Sequence, residues 1–274
     1  MRVLILGAGG VGGYLAGVMA KNGIDTTLFA TSKTNQFIAK NGLIIKDMDE
    51  EYQVCIKTKL EGIYDIVIVA VKSYHLDDII EILKKHTNKN SVVLPLLNGV
   101  GHFEKLKEFN LKKGCIYIVS HKEDINVIHK KANTFYLCYE KDEKLDELFS
   151  KLPLKTKSSE NIDIDVWKKY LFIATFATLT SYYKRPMGWV VENKEDEVRE
   201  FVKRMVNFAK KINISLDYEK EISKIIKQAK NIPYDSKTSM QIDFEKGNKT
   251  ELDNIVGFLK EDEFINRYYE ELNG

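Results

Sequence analysis

Cysteine is scarce in this chain of 274 residues: Cys55, Cys115 and Cys138 are the only three. They are widely separated, odd in number and free of CxxC spacing, so neither a disulfide framework nor a thiolate metal site is expected. Each reads as a small hydrophobe in a strand, and a reducing, cytoplasmic setting follows. Arginine is nearly as rare. Arg2, Arg185, Arg199, Arg204 and Arg267 are the full set among 42 basic residues, which disfavours a phosphate clamp built from bidentate arginines. Charge of either sign is in no excess. A net charge of +2 gives no reason to expect nucleic acid or acidic lipid as the main partner. The opening "MRVLILGAGG" lacks a basic region, a long apolar run and a small-residue cleavage site, so it reads as a strand from residue 2, not a signal peptide. The uncharged run from Tyr170 to Tyr183 is too short and too rich in Thr and Ser for a membrane span. Internal repeats and low-complexity segments are also missing.

What is present is core material. Hydrophobic residues make up 44%, charged residues 30% and aromatic residues 11%, the balance of a soluble globular protein. Up to about residue 160, compact apolar runs alternate with helical patterns. "RVLIL", "DTTLFA", "DIVIVAV" and "SVVLPLL" suit strands covered on both faces. Between them lie "VGGYLAGVMAKNG", "KTNQFIAKNG" and "YHLDDIIEILKKH", with helical spacing and Gly or Asn near their ends. This alternation predicts a parallel sheet with crossover helices. "CIYIVS", "INVIHKK" and "TFYLCYE" follow without long helices, which predicts that the sheet continues with antiparallel additions. Beyond the polar stretch "KTKSSENIDID" the patterns are helical throughout. The fold class expected is therefore α/β: an N-terminal Rossmann-type domain over residues 1–160 and an all-helical C-terminal domain over 161–274. The cleft between them is the default place for chemistry.

Gly7-x-Gly9-x-x-Gly12 stands directly after a strand and opens a helix. Gly7 permits a tight turn, Gly9 lets backbone approach a pyrophosphate, and Gly12 lets the helix pack close to the strand. The free N–H groups and dipole of the helix then hold the anion. This is a dinucleotide site by motif and context. After the second strand an acidic residue would select NAD, but "LFATSKTN" offers Thr31, Ser32 and Lys33 instead. Hydroxyls with a lysine suit a 2′-phosphate, so NADP(H) is the expected cofactor. Lys72 in "VAVKSYH" lies just past a buried strand, and Asn98 ends the next strand in "LPLLNGVG". Open α/β sheets gather ligand contacts at such strand ends.

In "VWKKYLFIATFATLTS" two lysines precede a dozen uncharged residues. Lys169 shares a helical face with Ile173, Phe176, Ala177 and Thr180, and Lys168 shares one with Phe172, Thr175 and Leu179. Either lysine, at the edge of an apolar surface, would be disposed to give up a proton, or would simply reach water at a helix entrance. Further on, Gly247-Asn248 can stop one helix and Thr250-x-x-Asp253 can start another as a capping box, with Glu251 in its first turn. Ser239 lies 12 residues before Glu251, at the start of the preceding segment.

Taken together, these residues resemble the ketopantoate reductase (2-dehydropantoate 2-reductase) family. The likeness covers nearly the whole chain: the N-terminal GxGxxG, "VK", "NG", "W-x-K", and "SM" followed 12 residues later by "TE-x-D". The resemblance implies NADPH-dependent reduction of ketopantoate to pantoate in pantothenate biosynthesis. It implies that Lys169, two residues after Trp167, protonates or polarises the ketone oxygen, a cation aimed at a developing alkoxide. It further implies that Glu251 binds the terminal hydroxyl, that Ser239 binds the carboxylate, and that Asn98 and Lys72 lie between cofactor and substrate. The helical domain would serve substrate binding and dimerisation, a homodimer being one assembly open to it. Ile173, Ala177 and Met187 stand where the family places asparagines, and the family's arginine after the second strand is absent. Three lost polar contacts, each worth about 0.5–1.5 kcal/mol, would redirect substrate choice. A relative that reduces a more apolar 2-keto acid, and a non-catalytic NADP-binding protein, are the alternatives.

Overall fold

The computed structural model describes residues 1–48 and 50–274, and its chain contacts divide into two units. The first comprises residues 1–97 and 102–162. The second comprises residues 98–101 and 163–274. The sequence reading drew one boundary near residue 160; the contacts instead count the short stretch after the fourth parallel strand with the helical unit.

In the first unit β1 (Arg2–Leu6), α1 (Gly10–Lys21), β2 (Asp25–Phe29), α2 (Ser32–Asn41), β3 (Leu43–Asp47), β4 (Glu50–Val54), β5 (Ile66–Val69), α3 (Leu76–His86) and β6 (Val92–Pro95) follow one another. A short α4 (His102–Lys105), β7 (Gly114–Asp124), β8 (Val127–Glu140), α5 (Glu143–Ser150) and β9 (Thr156–Ser159) complete it. Four strands form a wholly parallel sheet in the order β2-β1-β5-β6. Val3, Leu4, Ile5 and Ile66 to Val69 are completely buried, as strands with both faces covered require.

The later strands depart from expectation. They do not extend the parallel sheet but build a second one, in the order β4-β3-β8-β7 with β9 paired to β8. "INVIHKK" and "TFYLCYE" supply one long strand, β8, not two. The reason lies in α1, which is buried from Gly12 through Met19. A helix apolar on all sides needs cover on all sides. A Cβ at Gly13 would lie 2.6 Å from Ile128 of β8, and one at Gly17 would run into Ile45 of β3. The second sheet therefore seats directly on this glycine-bearing face. The polar stretch "KTKSSENIDID" likewise proves to hold an edge strand, β9, paired in parallel with β8 from Leu137 to Glu140.

The second unit is helical: α6 (Ile162–Tyr183), α7 (Met187–Asn193), α8 (Glu195–Lys211), α9 (Tyr218–Lys230), α10 (Ser239–Glu245), α11 (Leu252–Ile255) and α12 (Glu263–Asn273). Helix α6 begins one turn earlier than the apolar run suggested. Two of its buried hydroxyls are satisfied within the helix, Thr178 donating to Ala174 O and Thr180 to Phe176 O, both at 2.6 Å. Trp167 is buried and stacks on Phe208 of α8, with ring centroids 6.2 Å apart. Among the described residues no helix is long and apolar enough to cross a membrane.

Glu197 of α8 ties three helices together. It accepts from Tyr183 Oη of α6 at 2.6 and 2.7 Å and from Tyr268 Oη of α12 at 2.5 Å, with Lys194 Nζ 3.0 Å away. Burial alone would raise its carboxyl pKa, but these donors outweigh burial and hold it below the usual carboxylate range. A depressed folded-state pKa gives stability that is present above the unfolded value and lost as pH falls through the folded one. Glu197→Gln should therefore cost about 1–3 kcal/mol near neutrality. Urea unfolding at a series of pH values should show the gap between variant and parent closing below the carboxylate range; a gap that stays constant with pH would refute the assignment.

Candidate active site

In the first unit the candidate cofactor residues follow the carboxyl ends of parallel strands: Gly7 after β1, Thr31 after β2 and Lys72 after β5. Neighbouring parallel strands bring all three to one edge of the sheet. Gly7 has φ +108°, and a Cβ there would lie 2.5 Å from Ala70 O, so the position excludes any side chain. Its N–H donates to Phe29 O at 2.8 Å, which fixes the turn against β2. Gly12 faces Gly7 O so closely that a Cβ would collide with it. Gly9 differs from both: it caps α1 in extended geometry, and a Cβ there would meet nothing within 4 Å. No acidic residue occupies the first turn of α1 and no side chain caps it. Open space before unclaimed helix N–H groups suits the pyrophosphate of a dinucleotide.

At the end of β2 the structure adds detail that the sequence did not offer. Thr31 caps α2, accepting from Thr34 N at 3.4 Å, so its hydroxyl already serves the helix. Lys33 is exposed in the first turn of the same helix. Asn35 clamps the strand end in both directions, accepting from Ala30 N at 2.8 Å and donating to Ala30 O at 3.1 Å. Lys122, from distant β7, brings its Nζ within 3.4 Å of Thr34 Oγ1. Partial burial lowers its pKa. No local signal marks Lys122, because its position depends on the second sheet. Lys72 is half-buried, and its carbonyl accepts from His75 N at 2.9 Å as a short 3₁₀ turn begins.

The second unit brings two of the remaining candidates into direct contact. Lys169 Nζ donates to Asn98 Oδ1 at 3.0 Å, and only 7% of Lys169 is exposed. Lys168, one residue earlier, is less buried. The amide oxygen gives the buried ammonium a fixed direction. Ile173 and Ala177 follow Lys169 at one-turn intervals on its face, half-buried and buried respectively. Met187 is buried at the start of α7.

Glu251 is also 7% exposed, but its local setting differs from the capping box expected of Thr250. Glu251 itself occupies the cap position of the short α11, and Thr250 Oγ1 accepts from Leu252 N at 3.4 Å as a tight local turn. The helix before it closes as foreseen around Gly247 and Asn248, with Asn248 N bonded to Asp243 O at 2.8 Å. Ser239 is exposed as the first residue of α10. Its neighbour Thr238 caps that helix and meets Thr180 of α6 at 2.9 Å, which fixes the α10 entrance against the lysine-bearing helix. Two residues escaped the sequence reading. Gln241 is buried with its Oε1 lacking a hydrogen bond among the described residues. Asn254 donates from Nδ2 to Asn98 O.

Three lines of comparison bear on this arrangement. The profile of a family described as "Ketopantoate reductase PanE/ApbA" matches residues 3–139, and that of its C-terminal region matches residues 161–261. An uncharacterized oxidoreductase, YkpB of Bacillus subtilis (strain 168), is 31% identical over 280 residues, covering 95% of this chain and 91% of that protein. Two solved structures share the fold. A PanE/ApbA family ketopantoate reductase from Ralstonia eutropha JMP134 superposes with a TM-score of 0.90 at 20% identity, covering 100% of this chain and 97% of the other. A D-mandelate dehydrogenase in ternary complex with NADH and anilino(oxo)acetate gives 0.87 at 20% identity, covering 100% and 99%.

Proposed function

Because the chain belongs to the ketopantoate reductase family, we propose that it reduces 2-dehydropantoate to pantoate with NADPH, the reductive step of pantothenate biosynthesis. The observation that carries this reading is the hydrogen bond from buried Lys169 Nζ to Asn98 Oδ1 at 3.0 Å. When bound, the nicotinamide supplies hydride to the ketone carbon. Asn98 holds the ammonium in one orientation, and Lys169 stabilises the developing alkoxide and delivers a proton to it from Nζ. Glu251 accepts a hydrogen bond from the substrate's terminal hydroxyl, and Ser239 donates one to its carboxylate. Gly9 and the first-turn N–H groups of α1 hold the pyrophosphate, with Lys72 alongside. The assay is consumption of NADPH in the presence of ketopantoate; no turnover at millimolar substrate would overturn the proposal.

The preference for NADPH rests on cations at the end of β2, where Lys33 and Lys122 take the place of an arginine. Lys33→Ala should raise KM for NADPH about fivefold, the value of roughly 1 kcal/mol from an exposed ion pair. KM for NADH should not change. Steady-state kinetics with both cofactors read this, and an equal rise for both would show that Lys33 does not face the 2′-phosphate.

A second reading is favoured by Ile173, Ala177 and Met187: reduction of a more apolar 2-keto acid. The fold does not decide the matter, since a D-mandelate dehydrogenase shares it. A panel of branched, aromatic and hydroxylated 2-keto acids separates the two readings, and kcat/KM highest for ketopantoate would dismiss the second.

A further inference from the structure

We infer that Asn254 is a positioning residue for Lys169, acting through the backbone of Asn98; this rests on the reading of Lys169 as the proton donor. Lys169 donates to the Asn98 side chain, which helps to direct its ammonium. That side chain can be aimed only if its own backbone is held. Asn98 lies in a loop, followed by Gly99 at φ +85°, a conformation that a free loop would leave readily. Asn254 supplies the restraint. Its Nδ2 donates to Asn98 O, and its backbone carbonyl and Nδ2 would lie 2.5 and 2.6 Å from a Cβ at Gly99. Its Oδ1 would stand 3.3 Å from one at Gly101. Asn254 thus touches the 98–101 loop at three points and leaves no room for a side chain at Gly99.

The neighbouring residue completes a circuit. Ile255 O accepts from Tyr170 Oη at 2.7 Å, and Tyr170 is fully buried beside Lys169 in α6. Three hydrogen bonds, Lys169 to Asn98, Asn254 to Asn98 and Tyr170 to Ile255, join α6, the 98–101 loop and α11 in a closed ring within the second unit. Glu251 caps the same α11. One short helix therefore sets the lysine's acceptor and presents the second candidate site residue. Loss of the Asn254 donor would release the Asn98 carbonyl and let its side chain drift from Nζ. Displacements on the order of 1 Å at a reacting group can cost about a hundredfold in rate.

The test uses the full chain with Asn254→Leu, which keeps the branched shape without a donor, and Asn254→Gln, which restores one. Thermal midpoint and NADPH affinity serve as controls. Asn254→Leu should lower kcat by about ten- to a hundredfold and leave KM for the keto acid within about twofold. Asn254→Gln should recover part of the loss. In a Lys169→Ala background, Asn254→Leu should add nothing, because the two residues act in series. A second readout needs no turnover: the Asn98 side-chain amide resonance, assigned by its disappearance in Asn98→Ala. It should move in Lys169→Ala and move again in Asn254→Leu. Should the leucine variant lose its thermal midpoint, Asn254→Asp provides the same shape without the donor. Parental kcat with an unmoved resonance in the variant would overturn the inference, as would a rise in KM alone. If the parent turns over no keto acid, the proposed activity fails, and the amide resonance alone decides whether Asn254 positions the lysine's partner.

Discussion

Lys169→Ala is expected to reduce kcat for keto-acid reduction by about 10²–10⁴-fold, the usual worth of a positioned general acid, with little change in NADPH affinity. The magnitude follows from what the lysine can supply. An alkoxide forming in a site shielded from water has no bulk solvent to stabilise it, and a buried cation is worth far more there than at a surface. Lys169 is 7% exposed and already fixed at 3.0 Å by an amide oxygen, so no reorganisation is needed when charge develops. Lys169→Arg should recover little, because the guanidinium is larger and does not give up a proton. Lys168→Ala, by contrast, should be nearly silent. Stopped-flow measurement of single-turnover NADPH oxidation isolates the chemical step. A Lys169→Ala enzyme within tenfold of its parent would remove this lysine from the mechanism.

Gly7→Ala should act instead through the cofactor. The φ of +108° costs an alanine about 1–3 kcal/mol in backbone strain, and its methyl would press on Ala70 O and C at 2.5 and 2.8 Å. Those are main-chain atoms at the end of β5, held by Ala70 N bonded to Leu6 O at 2.8 Å, so they cannot step aside. The turn must move, and the α1 entrance moves with it. Fluorescence titration should show Kd for NADPH raised at least about tenfold, a loss of about 1.4 kcal/mol. The thermal midpoint should fall as well. Unchanged binding would show that the turn does not govern the dinucleotide site.

The parallel sheet was legible because doubly buried strands such as "DIVIVAV" leave continuous apolar runs that few other arrangements require. The amphipathic α8 and α9 were legible from their spacing. The second sheet was not, because the helix it covers and the strands that cover it lie far apart in sequence. What demanded that cover was Gly13 and Gly17, which in sequence are two more glycines of a helical pattern and do not announce a landing surface for Ile128 and Ile45. At the candidate site, Lys169 and Asn98 announced themselves by residue type and strand-end position. Asn254 did not, since an asparagine four residues into a polar helix start looks like solvent-facing trim. Thr31 was visible, but its use as a helix cap was not, because a hydroxyl at that point satisfies either role equally well on paper.

The four residues 98–101 have a consequence for how the chain can be divided. They belong by contact to the helical unit yet precede it by more than sixty positions. A fragment cut at Asp163 would keep the lysine and lose the amide that aims it. Conversely, a fragment ending at Ile162 would carry away a loop whose glycines are shaped around an absent asparagine. Gene-splitting or domain-swapping between relatives should therefore respect loop and helix as a matched set. Exchanging α11 without its loop is expected to yield a folded protein with a misdirected lysine.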